Sequence, residues 1–241
     1  MQIRSPQYIG CFLYAIDEIK GTATMNLAIF DLDNTLINGD SDHAWGEFLV
    51  ENSIVNREEY ALNNDQFYLD YKLGALDINA YLHFCLKVLA EHSLEQLLTW
   101  RKQFIEEKIQ PILLPKAQAL VKKHRDAGDT LLIITATNRF VTEPIALLYG
   151  IENLLASEAE MKDGCYTGKP SGTPCYQEGK ILRLDHWREK QDQSFEKYTF
   201  YSDSHNDLPL LKQVDNPVAV DPDPALLEHA TQHGWPICSL R

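Results

Sequence analysis

Two aspartates separated by one residue, Asp31-Leu32-Asp33, directly follow the apolar run Asn26-Leu-Ala-Ile-Phe30. A short uncharged run of that kind predicts a buried strand of a parallel sheet. In extended backbone residues i and i+2 face the same side, so both carboxylates point into one cavity beyond the strand's carboxyl end. Crevices at that edge are where open α/β sheets bind ligands. Two acids so close do not both behave as surface carboxylates: a divalent cation can hold one ionised while the other keeps or exchanges a proton. Asp31 is thereby a candidate nucleophile and Asp33 a candidate acid and base. By itself such a pair is more often a turn or a helix cap, so its company decides.

Other runs bring polar residues to the same edge. Residues 130–135 end in Thr135, whose hydroxyl, with the N–H groups after it, suits a phosphate. Residues 198–203 end in Asp203, with Asn206 and Asp207 in the next turn, and residues 217–221 form a further run. The polar, helix-like stretches before these runs predict a doubly wound α/β sheet. Residues 155–169, with Asp163-Gly164 in their middle, predict a hairpin on the sheet edge.

Residues 41–110 have another character. Apolar residues recur there at three and four (Trp45, Phe48, Leu49; Tyr81, Phe84, Leu89; Leu97, Trp100, Phe104), the period of amphipathic helices. The stretch carries 12 Asp plus Glu against 6 Lys plus Arg, and ten aromatics. Most of these are expected in a helical core, with one or two facing a ligand.

The whole chain, 241 residues and 44% hydrophobic, can bury a sizeable core. Its net charge of −13 repels nucleic-acid phosphates and anionic lipid, so neither nucleic acid nor membrane is expected as a partner. Five cysteines without a C-x-x-C pair point to a reducing, cytoplasmic setting. The longest apolar run, residues 8–16, is far short of the ~20 residues a membrane helix needs.

Four motifs occur in order: Asp31-Leu-Asp-Asn-Thr-Leu36, Leu132-Ile-Ile-Thr135-Ala-Thr137, Lys180 in Gln-Glu-Gly-Lys, and Tyr201-Ser-Asp203-Ser-His-Asn206-Asp207. With them the chain resembles the haloacid-dehalogenase-like (HAD) hydrolase superfamily, in its subfamily IB of phosphoserine phosphatases and a bacterial type of histidinol-phosphatase. The resemblance implies a Rossmann-like core from residues 25–40 and 111–241, with residues 41–110 as an inserted α-helical cap of C1 type. Residues 1–24 match nothing in it and are expected to be an extension outside the fold.

The resemblance further implies phosphomonoester hydrolysis. Asp31 would form an aspartyl-phosphate, while Asp33 would protonate the leaving alkoxide and then activate water. Mg²⁺ would be held by Asp31, Asp203 and the Asp33 backbone carbonyl, with Asp207 in support. Thr135, the Ala136 backbone and Lys180 would neutralise the phosphoryl group, with Asn206 on the substrate side. Asp33 sets the chain apart from the dehalogenases, whose halide leaving group needs no proton.

Asp40 stands nine residues after Asp31, where phosphoserine phosphatases carry a Glu that binds the substrate ammonium. Asp40, Asp42 and His43 are accordingly expected at the cap entrance, with Asp40 facing an amine or, equally, capping the first insert helix. The Arg that clamps a substrate carboxylate has no counterpart; the insert offers only Arg57 and Arg101. A small phosphate monoester with a cationic, uncharged-alcohol or aromatic leaving group is therefore expected, histidinol phosphate first. Phosphoserine or another small phosphate monoester, and a catalytically silent phospholigand-binding protein, are the alternatives. A monomer or homodimer is expected.

Overall fold

A computed structural model describes residues 25–241. The expected extension, residues 1–24, lies outside the described residues. The run opening at Met25 is strand β1 (Met25–Phe30), fully buried from Leu27 onward. It is the middle strand of seven. Beside it lie β2 (Thr130–Asn138) and β5 (Phe195–Ser202), both parallel to it. Beyond β2 come β3 (Asn153–Lys162) and β4 (Cys165–Ser171), and beyond β5 come β6 (Asn216–Val220) and β7 (Ile237–Cys238). Only the β3–β4 pair is antiparallel. Its turn residues Asp163 and Gly164 have φ of 50° and 79°, as a two-residue hairpin loop requires.

The topology brings the motif-bearing strands together. Phe30 pairs with Ile133 on one side and Tyr201 on the other, so Asp31, Thr135 and Asp203 emerge side by side at one edge. One departure from expectation matters: β2 runs on to Asn138 instead of stopping at Thr135. Thr137 consequently shares a face with Thr135.

Four helices separate β1 from the rest of the core: α1 (Ser41–Glu51), α2 (Arg57–Lys72), α3 (Ile78–Glu91) and α4 (Leu94–Phe104). Each begins at a side chain that accepts backbone N–H bonds: Asp40, Asn56, Asp77 and Ser93. A π-helical turn (Ile105–Ile109) and a 3₁₀ turn (Gln110–Ile112) lead back to α5 (Pro115–Asp126), which has Pro at its first position. Helices α6 (Arg139–Leu148), α7 (Glu178–Arg188), α8 (Leu208–Leu211) and α9 (Pro224–His233) complete the sheet's cover.

The insert shares its apolar interior with the sheet. Trp45, Phe48 and Phe104 stack together, and the Trp45 ring meets Phe140 of α6 at 5.8 Å. Helix α3 lies on β4 so closely that a β-carbon on Gly168 would stand 3.2 Å from the Ala90 side chain. No helix among the described residues is long and apolar enough to cross a membrane.

Candidate active site

Asp31 is 3% exposed where β1 ends. Its Oδ1 accepts from the Lys180 ammonium at 2.8 Å. Lys180, itself 2% exposed on α7, reaches Asp207 Oδ1 at 2.6 Å. A lysine buried this deeply is tolerable only when paired. Burial works against its charge, but Asp207 and Asp31 outweigh that and raise it above the ordinary lysine range. Asp207 is fixed in turn by the Ser202 hydroxyl at 2.7 Å. Both its oxygens are thus committed to Lys180 and Ser202.

Asp33 is held by three donors. The backbone N–H of Ser41, at the start of α1, gives Oδ1 a 2.6 Å bond. The Thr137 and Thr135 hydroxyls donate to Oδ2 at 2.8 Å and 3.3 Å. Neither Thr137 nor the Ser41 amide was singled out from sequence, although the i, i+2 hydroxyls of Thr135-Ala-Thr137 repeat the spacing of Asp31 and Asp33. Thr35 was also missed: its hydroxyl donates to Asp203 Oδ1 at 3.1 Å and accepts from the Asp203 N–H at 3.0 Å.

This cluster is short of positive charge. Asp31 Oδ2 is buried without a hydrogen-bond partner. Burial pushes the Asp31 carboxyl above the usual range, Lys180 draws it back, and Asp207 and Asp33 push it further up. Asp203 is raised in the same way by burial, Asp31 and Asp207. Among the described residues no three His, Cys, Asp or Glu side chains converge as a self-sufficient metal cluster. Two carboxylates, one with an orphaned oxygen, together with a backbone carbonyl fit Mg²⁺, which keeps several waters and takes few protein ligands.

Asp31 and Asp33 open into a cleft between the sheet edge and the insert. Thr135, Ala136 and Thr137 line it from β2, Asp40 from the turn before α1, and Asp42, His43, Asn64, Phe67, Tyr68, Tyr71, Ile78 and Tyr81 from the insert. Four insert aromatics therefore face the cavity, more than expected. Among the described residues no Arg or Lys is on its wall. Arg57 is exposed on α2, and Arg101 donates to the Phe140 carbonyl at 2.9 Å. Lys180 and Asp207 lie behind Asp31 rather than on the wall.

Asp40, Asp42 and His43 all line the cleft. Asp40 does cap α1, its Oδ1 accepting from the Asp42 and His43 N–H groups at 3.0 and 2.8 Å, and it also lines the cleft. His43 bonds Asp65 at 2.9 Å and stacks on Tyr68. Asn206 is a correction, because it does not line the cleft. Its amide N–H donates to the Tyr71 backbone carbonyl at 2.9 Å, and its Oδ1 accepts from Tyr176 and Gln177. It ties α2 to the core. His205 bonds Asp223 at 2.7 Å, also off the cleft wall. His229 and His233 stack on each other, and Cys175 is buried.

Residues 28–212 match the family of haloacid dehalogenase-like hydrolases. The chain is 47% identical over 220 residues to a histidinol-phosphatase of Neisseria meningitidis serogroup C (strain 8013), covering 90% of this chain and 99% of that protein. A crystal structure of a protein of unknown function from Bordetella pertussis Tohama I superposes with a TM-score of 0.86 at 40% identity, covering 90% of this chain and 100% of that one. A substrate-bound phosphoserine phosphatase shares the fold at a TM-score of 0.66 and 17% identity, over 90% of this chain and 94% of that one. With its family profile spanning most of the length and a full-length relative at this identity, the chain belongs to the haloacid dehalogenase-like hydrolases and is a phosphatase.

Proposed function

We propose that this phosphatase hydrolyses histidinol phosphate to histidinol and phosphate, with Mg²⁺ as cofactor. The observation that carries the substrate is the cleft wall: Asp40, Asp42 and four insert aromatics line it with Asp31 and Asp33, with no Arg or Lys among them. A leaving group with an ammonium and an aromatic ring suits such a wall, whereas a substrate carboxylate would be buried against acids. The name of the Neisseria relative supports the same reading.

In the proposed reaction an Asp31 carboxylate oxygen attacks phosphorus and the bond to the leaving oxygen breaks, giving an aspartyl-phosphate. Asp33, held at the leaving side by Thr137 and Ser41, hands its proton to the departing alkoxide. It then takes a proton from a water that attacks the phosphorus, releasing phosphate and restoring Asp31. Thr135, the Ala136 backbone and Lys180 balance the phosphoryl charge. Asp31, Asp203 and the Asp33 backbone carbonyl would hold Mg²⁺, which would supply further charge neutralisation, and Asp207 assists by fixing Lys180. Residues 41–110 act as the cap that excludes water and reads the leaving group. The described cysteines are all free, which suits the cytoplasm.

The test is Mg²⁺-dependent phosphate release from histidinol phosphate, phosphoserine and an aryl phosphate. We expect kcat/KM for histidinol phosphate to exceed that for phosphoserine by about 100-fold, the scale of leaving one buried charge unpaired. Equal values refute the substrate assignment. Asp31→Asn should lose about 10⁴-fold in kcat; wild-type turnover by that variant refutes the nucleophile.

A further inference from the structure

Asp40 and Asp42 both line the cleft, yet their surroundings differ. Asp40 has an oxygen committed to two backbone N–H groups at the start of α1, a bond set that fixes the helix. Asp42 lies within α1 and is 6% exposed. Its Oδ1 accepts one long bond from the Asn138 amide, at 3.2 Å. Its Oδ2 is buried with no hydrogen-bond partner.

An unmet carboxylate oxygen in a protein interior costs free energy that an apolar side chain of similar size would avoid. No Lys or Arg among the described residues of the wall compensates it. Burial pushes the Asp42 carboxyl up to about 8, with Tyr81 and Asn138 drawing it back and Asp40 and Asp33 pushing it further. Beside Asp42 the His43 ring stacks on Tyr68 at 4.6 Å and is tethered by Asp65 at 2.9 Å. Tyr81 and Phe67, in edge contact at 5.3 Å, line the same cleft. The combination is an orphaned acid inside an aromatic enclosure.

We infer that Asp42 is the specificity-determining residue of this cleft: it takes the primary ammonium of the leaving group, while the aromatic enclosure holds the ring. Asp40 is a positioning residue that sets the register of α1. The inference rests on the cationic-substrate reading above and deepens it, because it assigns recognition to the acid with an unpartnered oxygen rather than to the one nine residues after Asp31.

Its test compares histidinol phosphate with the analogue lacking the amine, using the Mg²⁺-loaded wild type, Asp42→Asn and Asp40→Asn. Asp42→Asn is expected to lose about 100-fold in kcat/KM on histidinol phosphate, mostly through KM, so that its preference for the amine collapses. Asp40→Asn, whose amide oxygen still caps α1, is expected to lose far less of that preference than Asp42→Asn. Should Asp42→Asn fold poorly, Asp42→Ser reads the same ratio. Wild-type turnover of histidinol phosphate with the preference intact in the Asp42 variants overturns this inference alone. A wild type that turns over no amine-bearing ester overturns the substrate reading and the inference together.

Discussion

Thr137 supplies the shorter of the two hydroxyl bonds to Asp33, and the second carboxylate oxygen depends on it for direction. Thr137→Val keeps the volume and removes the donor, so kcat should fall about tenfold with KM moved less. Steady-state kinetics on any accepted ester checks this; an unchanged kcat would show that Thr135 alone suffices. Asp42 permits a second prediction at this scale. In the unliganded protein burial pushes its carboxyl up to about 8, against an ordinary value of 3.8. The folded state therefore binds more protons than the unfolded one between those values, and stability from this group falls as pH rises through that window. Asp42→Asn escapes the loss, although Asp40, Asp33 and Tyr81, which face the same position, remain in both proteins. The melting temperature of the variant minus that of the unliganded wild type should grow steadily from pH 4 to pH 8. A flat difference would refute the burial argument.

Among the elements, β1 was legible because a short apolar run flanked by polar residues has few other uses in an α/β chain, and the i, i+2 rule then placed both aspartates. The same reasoning stopped β2 at Thr135, because Ala136-Thr137-Asn138 carries no apolar signal; its continuation depends on pairing of Asn138 with Ser157 in β3, which no local pattern encodes. Asn206 shows a similar limit. A turn asparagine beside Asp207 reads as a ligand, while its actual partner, the Tyr71 carbonyl, is 135 residues away. Helices α1 and α2 meet where Gly46 admits the Asn64 amide, which donates to the His43 carbonyl at 3.0 Å. A β-carbon on Gly46 would come within 2.5 Å of that side chain. Gly46→Ala should therefore destabilise the protein by about 1–3 kcal/mol, measured by urea unfolding, and raise KM by displacing a wall of the cleft. Wild-type stability in the variant would show that Asn64 has room to move.

The whole molecule carries −13, and a dianionic phosphate must approach through that field. Salt should relieve the repulsion, because the screening length falls from about 30 Å at 0.01 M to about 8 Å at 0.15 M. For an aryl phosphate kcat/KM should rise severalfold over that range, and for an ester with an ammonium it should rise less. Identical salt responses would count against a role for the acidic insert in attraction. The sheet's margins bear on the molecule at high concentration. One ends in β7, two residues long, and the other in β4, pressed under α3 with Gly168 against Ala90. A passing copy would find only two residues to dock on at the first margin and a strand crowded by α3 at the second. The protein should accordingly resist fibril seeding as it is concentrated, so that α3, chiefly a wall for the cleft, doubles as the guard against edge-on polymerisation.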